Sequence, residues 1–518
     1  MKKLLIYVLT LVAAFVLVGC DGVKPEPEDP GTNPENPGTN PENPEQPENP
    51  EQPENPEQPE DPEDTKVIIA DDNYTVETVE NLLAQPDGSV KVVFRIPFGT
   101  NIQNKILEFV EEFELEYPSV DIELDVVSGY DDMKSATIQD INGGVVPTMT
   151  VGYPDHFAEY LITKSIIALD KFIADPNVGY TEAELDDFLA GYMTENRQFD
   201  ENRTFVGLPF NKSTEALFYN VEFFEEFGFE VPQTWEEMET LCEEIMQTVS
   251  TLEDGQYSWL GDIKTNLANG EFIPCLYDSG GNLFTTIIHQ FGGEYTESIY
   301  KSNGLVDVQK GNIKFNTSPE ASEGLKYLQD LAAKGYFNMP DAMDLTYGSY
   351  AYNVGKCIMN IGSTGGSSYY AEAICTTGVA PIPYRDADHK YVIQQGTNVC
   401  IMSQASDLQK LAAWLFIKHM LTPENTAEFA IVTGYMPVRQ SAYELQEYLD
   451  FLQYDKGTAA TVHKSTVKYA NEGWTYFVDA AWAGSSKVRT ECEAAIATIV
   501  IDKADIKQAL EDAVGRIG

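Results

Sequence analysis

A two-lobed α/β protein is what this sequence predicts, on three observations. Of its 518 residues, about 450 have the mixed composition of a folded body, too many for one hydrophobic core and about right for two. From residue 90 onward strand and helix periodicities alternate, the pattern of a sheet covered by helices. The second strand of that series alternates apolar and acidic residues strictly, as a half-exposed edge strand does.

The elements follow in order. Lys2 and Lys3 precede an apolar run from Leu4 to Val18, short for a membrane span of about 20 residues but suited to a signal-peptide core. The run ends in Leu17, Val18, Gly19 and Cys20, which resembles a bacterial lipobox. That resemblance implies cleavage before Cys20, lipidation of its thiol and new amino group, and a signal peptide over 1–19. Nothing later reads as a transmembrane helix, so the expected attachment to the membrane is through lipid only.

Residues 20–65 form a spacer that repeats Pro-Glu-Asn and Pro-Glu-Gln, with Val23 its one aliphatic side chain between Asp21 and Asp64. Such a stretch cannot bury enough apolar surface to offset its ordering entropy, and its prolines and carboxylates favour an extended arm. Between Asp21 and Asp64 it carries 15 acidic side chains and one lysine, so most of the formal net charge of -50 belongs to the folded part. That charge argues against nucleic acid as a partner and against electrostatic binding to an anionic bilayer. Six cysteines follow Cys20 without a C-x-x-C motif, and their spacing ranks no pairing. Both disulfides and buried thiols stay open.

Val90 to Pro97 reads as a strand, and Ile102, Ile106, Phe109, Val110 and Phe113 mark one face of the helix after it, closed by Pro118. Asp121 to Val127 is the edge strand. A helix over Asp131 to Asn142, a strand over Thr148 to Tyr153 and a helix over Asp155 to Thr163 complete βαβαβα, with the strand order 2-1-3. In open α/β sheets ligands bind beyond the carboxyl ends of the strands. Those ends lead into Phe98-Gly99-Thr100, Ser128-Gly129-Tyr130 and Tyr153 to His156, which makes Thr100, Tyr130, Tyr153 and Asp155 candidate ligand residues. Aromatic faces with hydroxyl and carboxylate neighbours suit a sugar or polyol. A turn or cap is the alternative for each, with Asp155 well placed as an N-cap.

From Val206 to Asn220 (VGLPFNKSTEALFYN) the chain resembles family 1 extracellular solute-binding proteins, the two-lobed receptors of sugar and glycerol-phosphate ABC importers. The helix around Phe223 to Phe227 and the segment Val231 to Met238 continue the likeness. Within the latter, Thr234 and Glu237 have capping-box spacing, and Trp235 is expected to pack. Further matches are Tyr277 to Phe284, Gln290 to Gly293, Phe315 to Glu320, Gly355 to Ser363, Val379 to Pro383, Gln395 to Asn398 and Thr422 to Arg439. The order and spacing of these segments, from about residue 90 to 445, carry the resemblance.

The resemblance implies a periplasmic-binding-protein type II fold, each lobe a mainly parallel sheet flanked by helices, with multiple hinge crossings. It divides the chain into lobe 1 (66–211 and 358–396) and lobe 2 (212–357 and 397–518). It adds Ser213, Thr214, Ser279, Asn282, Ser363, Gly365, Gly366, Tyr435 and Arg439 as ligand residues. The Gly/Ser-rich stretch from Ile361 to Ser368 is expected to open a helix from Tyr369 to Ile374. Its free N–H groups, together with Arg439, would suit a phosphate. The implied function is capture of a carbohydrate outside the cell and delivery to a permease, with a glycerol-3-phosphate or glycerophosphodiester ligand as the alternative. No cofactor or metal is expected, and the protein is expected to act as a monomer on the outer face of the cytoplasmic membrane.

Two other classes compete. A glycan hydrolase would need reactive groups, but there is no G-x-S-x-G or H-E-x-x-H, and the five histidines are scattered without metal-ligand spacing. A surface adhesin would use the stalk equally well, but would not be stabilised by a small molecule.

Overall fold

The computed structural model describes residues 69–302, 305–455 and 457–518. The signal segment, Cys20 and the spacer lie outside the described residues.

In chain order the strands are β1 (Val90–Ile96), β2 (Val120–Val126), β3 (Met149–Gly152), β4 (Leu208–Ser213), β5 (Glu215–Asn220), β6 (Cys275–Tyr277) and β7 (Thr296–Tyr300). Then come β8 (Val306–Ile313), β9 (Phe337–Asn338), β10 (Met359–Ser363), β11 (Thr377–Ala380), β12 (Tyr391–Ile393), β13 (Gln395–Ile401) and β14 (Thr475–Phe477). Two five-stranded sheets organise the body, in the orders β2-β1-β3-β13-β4 and β11-β5-β10-β6-β9. Each anchors one lobe.

In the first sheet β1 pairs parallel with both β2 and β3, and β2 lies at the edge. The helix Thr100–Glu116 turns Ile106, Phe109, Val110 and Phe113 inward, the face its apolar spacing marks. β13 then runs antiparallel between β3 and β4. The second sheet joins β10 parallel to β6 and antiparallel to β5. Both sheets are therefore mixed rather than mainly parallel, because each lobe takes in strands that arrive from the other.

The expected lobe boundaries need correction on the same ground. Met359–Ser363 belongs to the second sheet, not to lobe 1, and the strand Gln395–Ile401, whose residues from Thr397 on were expected in lobe 2, belongs wholly to the first. The helices Asp407–Met420 and Pro423–Thr433 follow β13 into the first lobe and pack against the helix Thr100–Glu116. Short apolar strands suit either sheet equally, so the order of motifs did not say which one each return strand joins.

Two large apolar cores result, one per lobe. Phe94, Phe109, Leu208, Trp414 and Phe416 lie in the first, and Trp235, Ile245, Phe284, Leu325 and Ile496 in the second. Trp235 is buried as expected, and both halves of the Thr234/Glu237 capping box are formed. Where the chain crosses between lobes, β4 passes to β5 through Thr214, and β12 to β13 through Gln394. The Thr214 hydroxyl donates to the Ile393 carbonyl at 2.7 Å, tying the crossings together. Beside them Lys212 is wholly buried, 2.7 Å from Glu195. Its ammonium also donates to the Gly396 carbonyl at 3.2 Å. Gly396 has φ +90°, and a Cβ there would lie 1.8 Å from the Asn211 carbonyl oxygen, so only glycine fits.

The six described cysteines are free, five of them buried. Among the described residues no helix is long and apolar enough to cross a membrane.

Candidate functional site

A cavity of about 670 Å³ opens at the carboxyl ends of the parallel strands, walled by both lobes. The first lobe supplies the loops after β1, β2 and β3. Phe98, Tyr130 and Tyr153 face the cavity there, with Tyr435 joining them from the turn after the helix Pro423–Thr433. The rings brace one another. Tyr130 meets Tyr153 edge-on at 5.2 Å between centroids and Phe98 at 6.4 Å, while Tyr153 meets His156 at 5.6 Å. Tyr435 stacks on Phe429 from behind. Burial raises the phenol pKa values of Tyr130, Tyr153 and Tyr435, so all three stay protonated donors, and burial lowers that of His156, keeping it neutral.

The second lobe and the crossings supply a more polar wall. Ser213 and Glu215 come from the first crossing, Ser279 and Asn282 from the start of the helix Gly280–Gln290, and Ser363, Gly365 and Gly366 from the turn after β10. Glu215 is completely buried; it accepts from the Tyr277 hydroxyl and, at 2.8 Å, from Asn282 Nδ2. Burial pushes its carboxyl up to about 7. Asp278 also faces the cavity, and burial raises it to about 6 even though it accepts from the Gly348 N–H at 2.6 Å and from Asn360 at 3.1 Å.

Charge is distributed unevenly. Besides those two, the lining carboxylates are Asp131, Asp155, Glu195, Asp479 and Glu493. Arg489 is the one lysine or arginine among the described lining residues, and its guanidinium is held 2.5 Å from Asp479.

Ten of the thirteen expected ligand residues line this cavity: Tyr130, Tyr153, Asp155, Ser213, Ser279, Asn282, Ser363, Gly365, Gly366 and Tyr435. Three do not. Thr100 is exposed at the start of its helix, one residue from the lining Gly99. Thr214 is buried in the crossing, its hydroxyl spent on Ile393 and its N–H on Thr364. Arg439 is buried in the first lobe, its guanidinium 3.7 Å over the Phe188 ring and donating to the Leu421 and Glu184 carbonyls. The helix expected from Tyr369 to Ile374 is instead a 3-10 turn, Thr364–Tyr370, and the Ser363 side chain already accepts from the Gly365 N–H. Asp155 is not an N-cap: Tyr153 holds that position and Asp155 lies in the first turn, where it accepts from the Ser486 hydroxyl of the second lobe.

Sequence reasoning missed Glu215, Asp278 and Arg489. A signal existed for two of them. Glu215 is the charged first residue of β5, next to the crossing at Thr214, and Asp278 follows β6 at its carboxyl end, where the rule applied to the first lobe would have found it. Arg489 lies mid-helix with nothing in its spacing to mark it.

A two-lobed α/β body with a polar, tyrosine-walled cavity at the crossings is the architecture of a solute receptor. The model of the bacterial extracellular solute-binding proteins matches residues 108–460, and the chain belongs to that family. A curated relative, the sn-glycerol-3-phosphate-binding periplasmic protein UgpB of Salmonella typhimurium, is 24% identical over 450 residues, covering 83% of this chain and 93% of its own. Among solved structures, UgpB from Mycobacterium tuberculosis in complex with glycerophosphocholine superposes with a TM-score of 0.65 at 18% identity, covering 83% of this chain and 98% of that one. The GacH receptor of Streptomyces glaucescens, solved unliganded and with acarbose, gives 0.61 at 18% identity, over 82% and 98% of the two chains. These likenesses establish the two-lobed fold.

Proposed function

We propose that this chain is the lipid-anchored receptor of an ABC importer, that it acts as a monomer, and that its solute is a carbohydrate released unchanged to a permease. The observation that carries the ligand class is the cavity wall, in which tyrosine faces and buried hydrogen-bonding groups surround a space holding one arginine, already paired. Sugars present apolar ring faces to aromatics and hydroxyl donors to carboxylates. Among the described lining residues a phosphate dianion would meet seven carboxyl groups, two of them already paired with Lys212 and Arg489, and no free lysine or arginine.

Binding by closure follows from the two-lobed construction. A solute that touches both walls favours the closed form by its differential affinity for it. The glycerol-phosphate alternative draws support from the UgpB relatives. It relied on Arg439 and a helix N-terminus, however: Arg439 is buried away from the cavity, and the segment that lines it at Gly365 and Gly366 is a 3-10 turn whose Gly365 N–H is taken by Ser363.

A thermal-shift panel of mono- and oligosaccharides beside sn-glycerol-3-phosphate tests this. A true ligand at about 100 times its dissociation constant adds roughly 2.7 kcal/mol of stability. Stabilisation by the phosphate alone would overturn the carbohydrate reading, and turnover of an oligosaccharide would overturn the receptor reading. Loss of membrane retention in Cys20→Ala checks the anchor.

A further inference from the structure

The second-lobe wall holds two carboxylates, Glu215, which is buried, and Asp278, which is half-buried, and no lysine, arginine or histidine lies within ion-pair distance of either among the described residues. Each is surrounded by neutral donors. Glu215 faces Tyr277 and Asn282, with Asp278 and Arg489 as its nearest charges, and Arg489 is committed to Asp479. Asp278 faces Asn360, the Gly348 N–H, Tyr347 and Tyr370. Its Oδ1 takes both hydrogen bonds, and Oδ2 lies over Gly362 at the cavity wall. Two glycines make room for this carboxylate: a Cβ at Gly362 would fall 2.5 Å from Oδ2, and one at Gly348 2.7 Å from Oδ1.

Two further atoms point to an absent partner. Asn282 Oδ1 and Ser349 Oγ are buried, belong to residues that line the cavity and have no hydrogen-bond partner. Tyr347 and Tyr369 stack beside them, with 6.0 Å between ring centroids, and add aromatic faces to the same wall.

A neutral hydroxyl would supply Asp278 and Glu215 with hydrogen bonds but no charge. Closing the cleft over it would bury two uncompensated carboxylates, or force them to take up protons. An ammonium removes that penalty: it neutralises charge, has three protons to share among carboxylate, amide and hydroxyl acceptors, and is attracted to tyrosine faces. No group of three or more His, Cys, Asp or Glu among the described residues is placed to hold a metal ion, so an organic cation is the fitting occupant.

We propose that the solute carries a basic amino group, and that this group lodges against Glu215 and Asp278 on the second-lobe wall. The inference rests on the carbohydrate reading and narrows it to basic amino sugars. The raised carboxyls of both residues agree with it, since a cation placed there would restore their ionised form.

The test is titration calorimetry of the full chain, near neutral pH, with matched pairs of saccharides of one to three units, each free amino sugar beside its N-acetyl counterpart, together with maltotriose and sn-glycerol-3-phosphate. The expected result is a free amino sugar binding at least about tenfold more tightly than its acetylated twin. In Asp278→Asn the preference for the free amine over its acetylated twin should shrink about tenfold, and Glu215→Gln should repeat the effect if Asp278→Asn folds poorly. Equal or tighter binding of the neutral twin or of maltotriose overturns this inference and leaves the carbohydrate reading standing. Binding of the glycerol phosphate with no saccharide bound removes both.

Discussion

The two walls of the cavity are built differently. On the first lobe, rings hold rings: Phe98, Tyr130, Tyr153 and His156 interlock edge to face, and their positions follow from strand ends in a regular βαβ series. On the second, carboxylates are held by hydrogen bonds inside the protein, with Glu215 on a crossing strand and Asp278 in a notch between two glycines. The tyrosines of the first wall set shape, whereas on the second, burial raises the Glu215 and Asp278 carboxyls towards neutrality. On the proposed closure, this division would make binding selective, because a solute would have to satisfy both walls before the closed form is favoured.

The sharpest way to break this comparison is at the crossings that join the walls. Lys212→Met leaves Glu195 buried without its cation, and the expected loss is about 3–5 kcal/mol in urea unfolding. Retention of wild-type stability would mean that the crossings are not held by this pair. Arg439→Ala should cost roughly 2–4 kcal/mol, since the guanidinium spans Phe188 and two carbonyls, and yet leave ligand affinity within about twofold. A large affinity loss at constant stability would return Arg439 to the site.

A smaller effect separates the walls by pH. Burial raises Glu215 to about 7 and Asp278 to about 6, so between the ordinary carboxyl range and neutrality the folded state binds more protons than the unfolded chain. The stability these two carboxyls contribute to the unliganded protein should therefore fall as pH rises through roughly 5 to 7, by on the order of 1–3 kcal/mol, while His156, His289, His419 and His463, whose pKa values burial lowers, contribute in the opposite sense. Glu215→Gln should flatten that slope. The Asn282 amide can turn to offer its unpartnered Oδ1 to the new amide, so the variant keeps its hydrogen bonding. The same pH dependence in wild type and Glu215→Gln contradicts the assignment.

Legibility in the sequence followed the same division. The first lobe's β2-β1-β3 order, its edge strand and its rim tyrosines were readable because helix and strand periods alternate cleanly and the site rule for open sheets applies directly. The second wall was only half readable. Ser279, Asn282, Ser363 and the glycines came from family likeness, whereas Glu215 and Asp278 look like ordinary strand and loop carboxylates until burial is known. Thr214 and Arg439 show the converse: residues of ligand-binding type, conspicuous in a motif, whose polar atoms are used up inside the fold. Lobe membership of β10 and β13 depended on pairing between distant segments, which local pattern does not encode.

The central claim is that a small solute is gripped from both walls at once. Calorimetric titration of the best-binding saccharide into the wild type, Tyr153→Ala and Asp278→Asn measures it most directly. A loss of about tenfold or more is expected in each variant, from opposite sides of the cleft, with both variants folded. Undiminished affinity in both would place the ligand elsewhere and contradict the account.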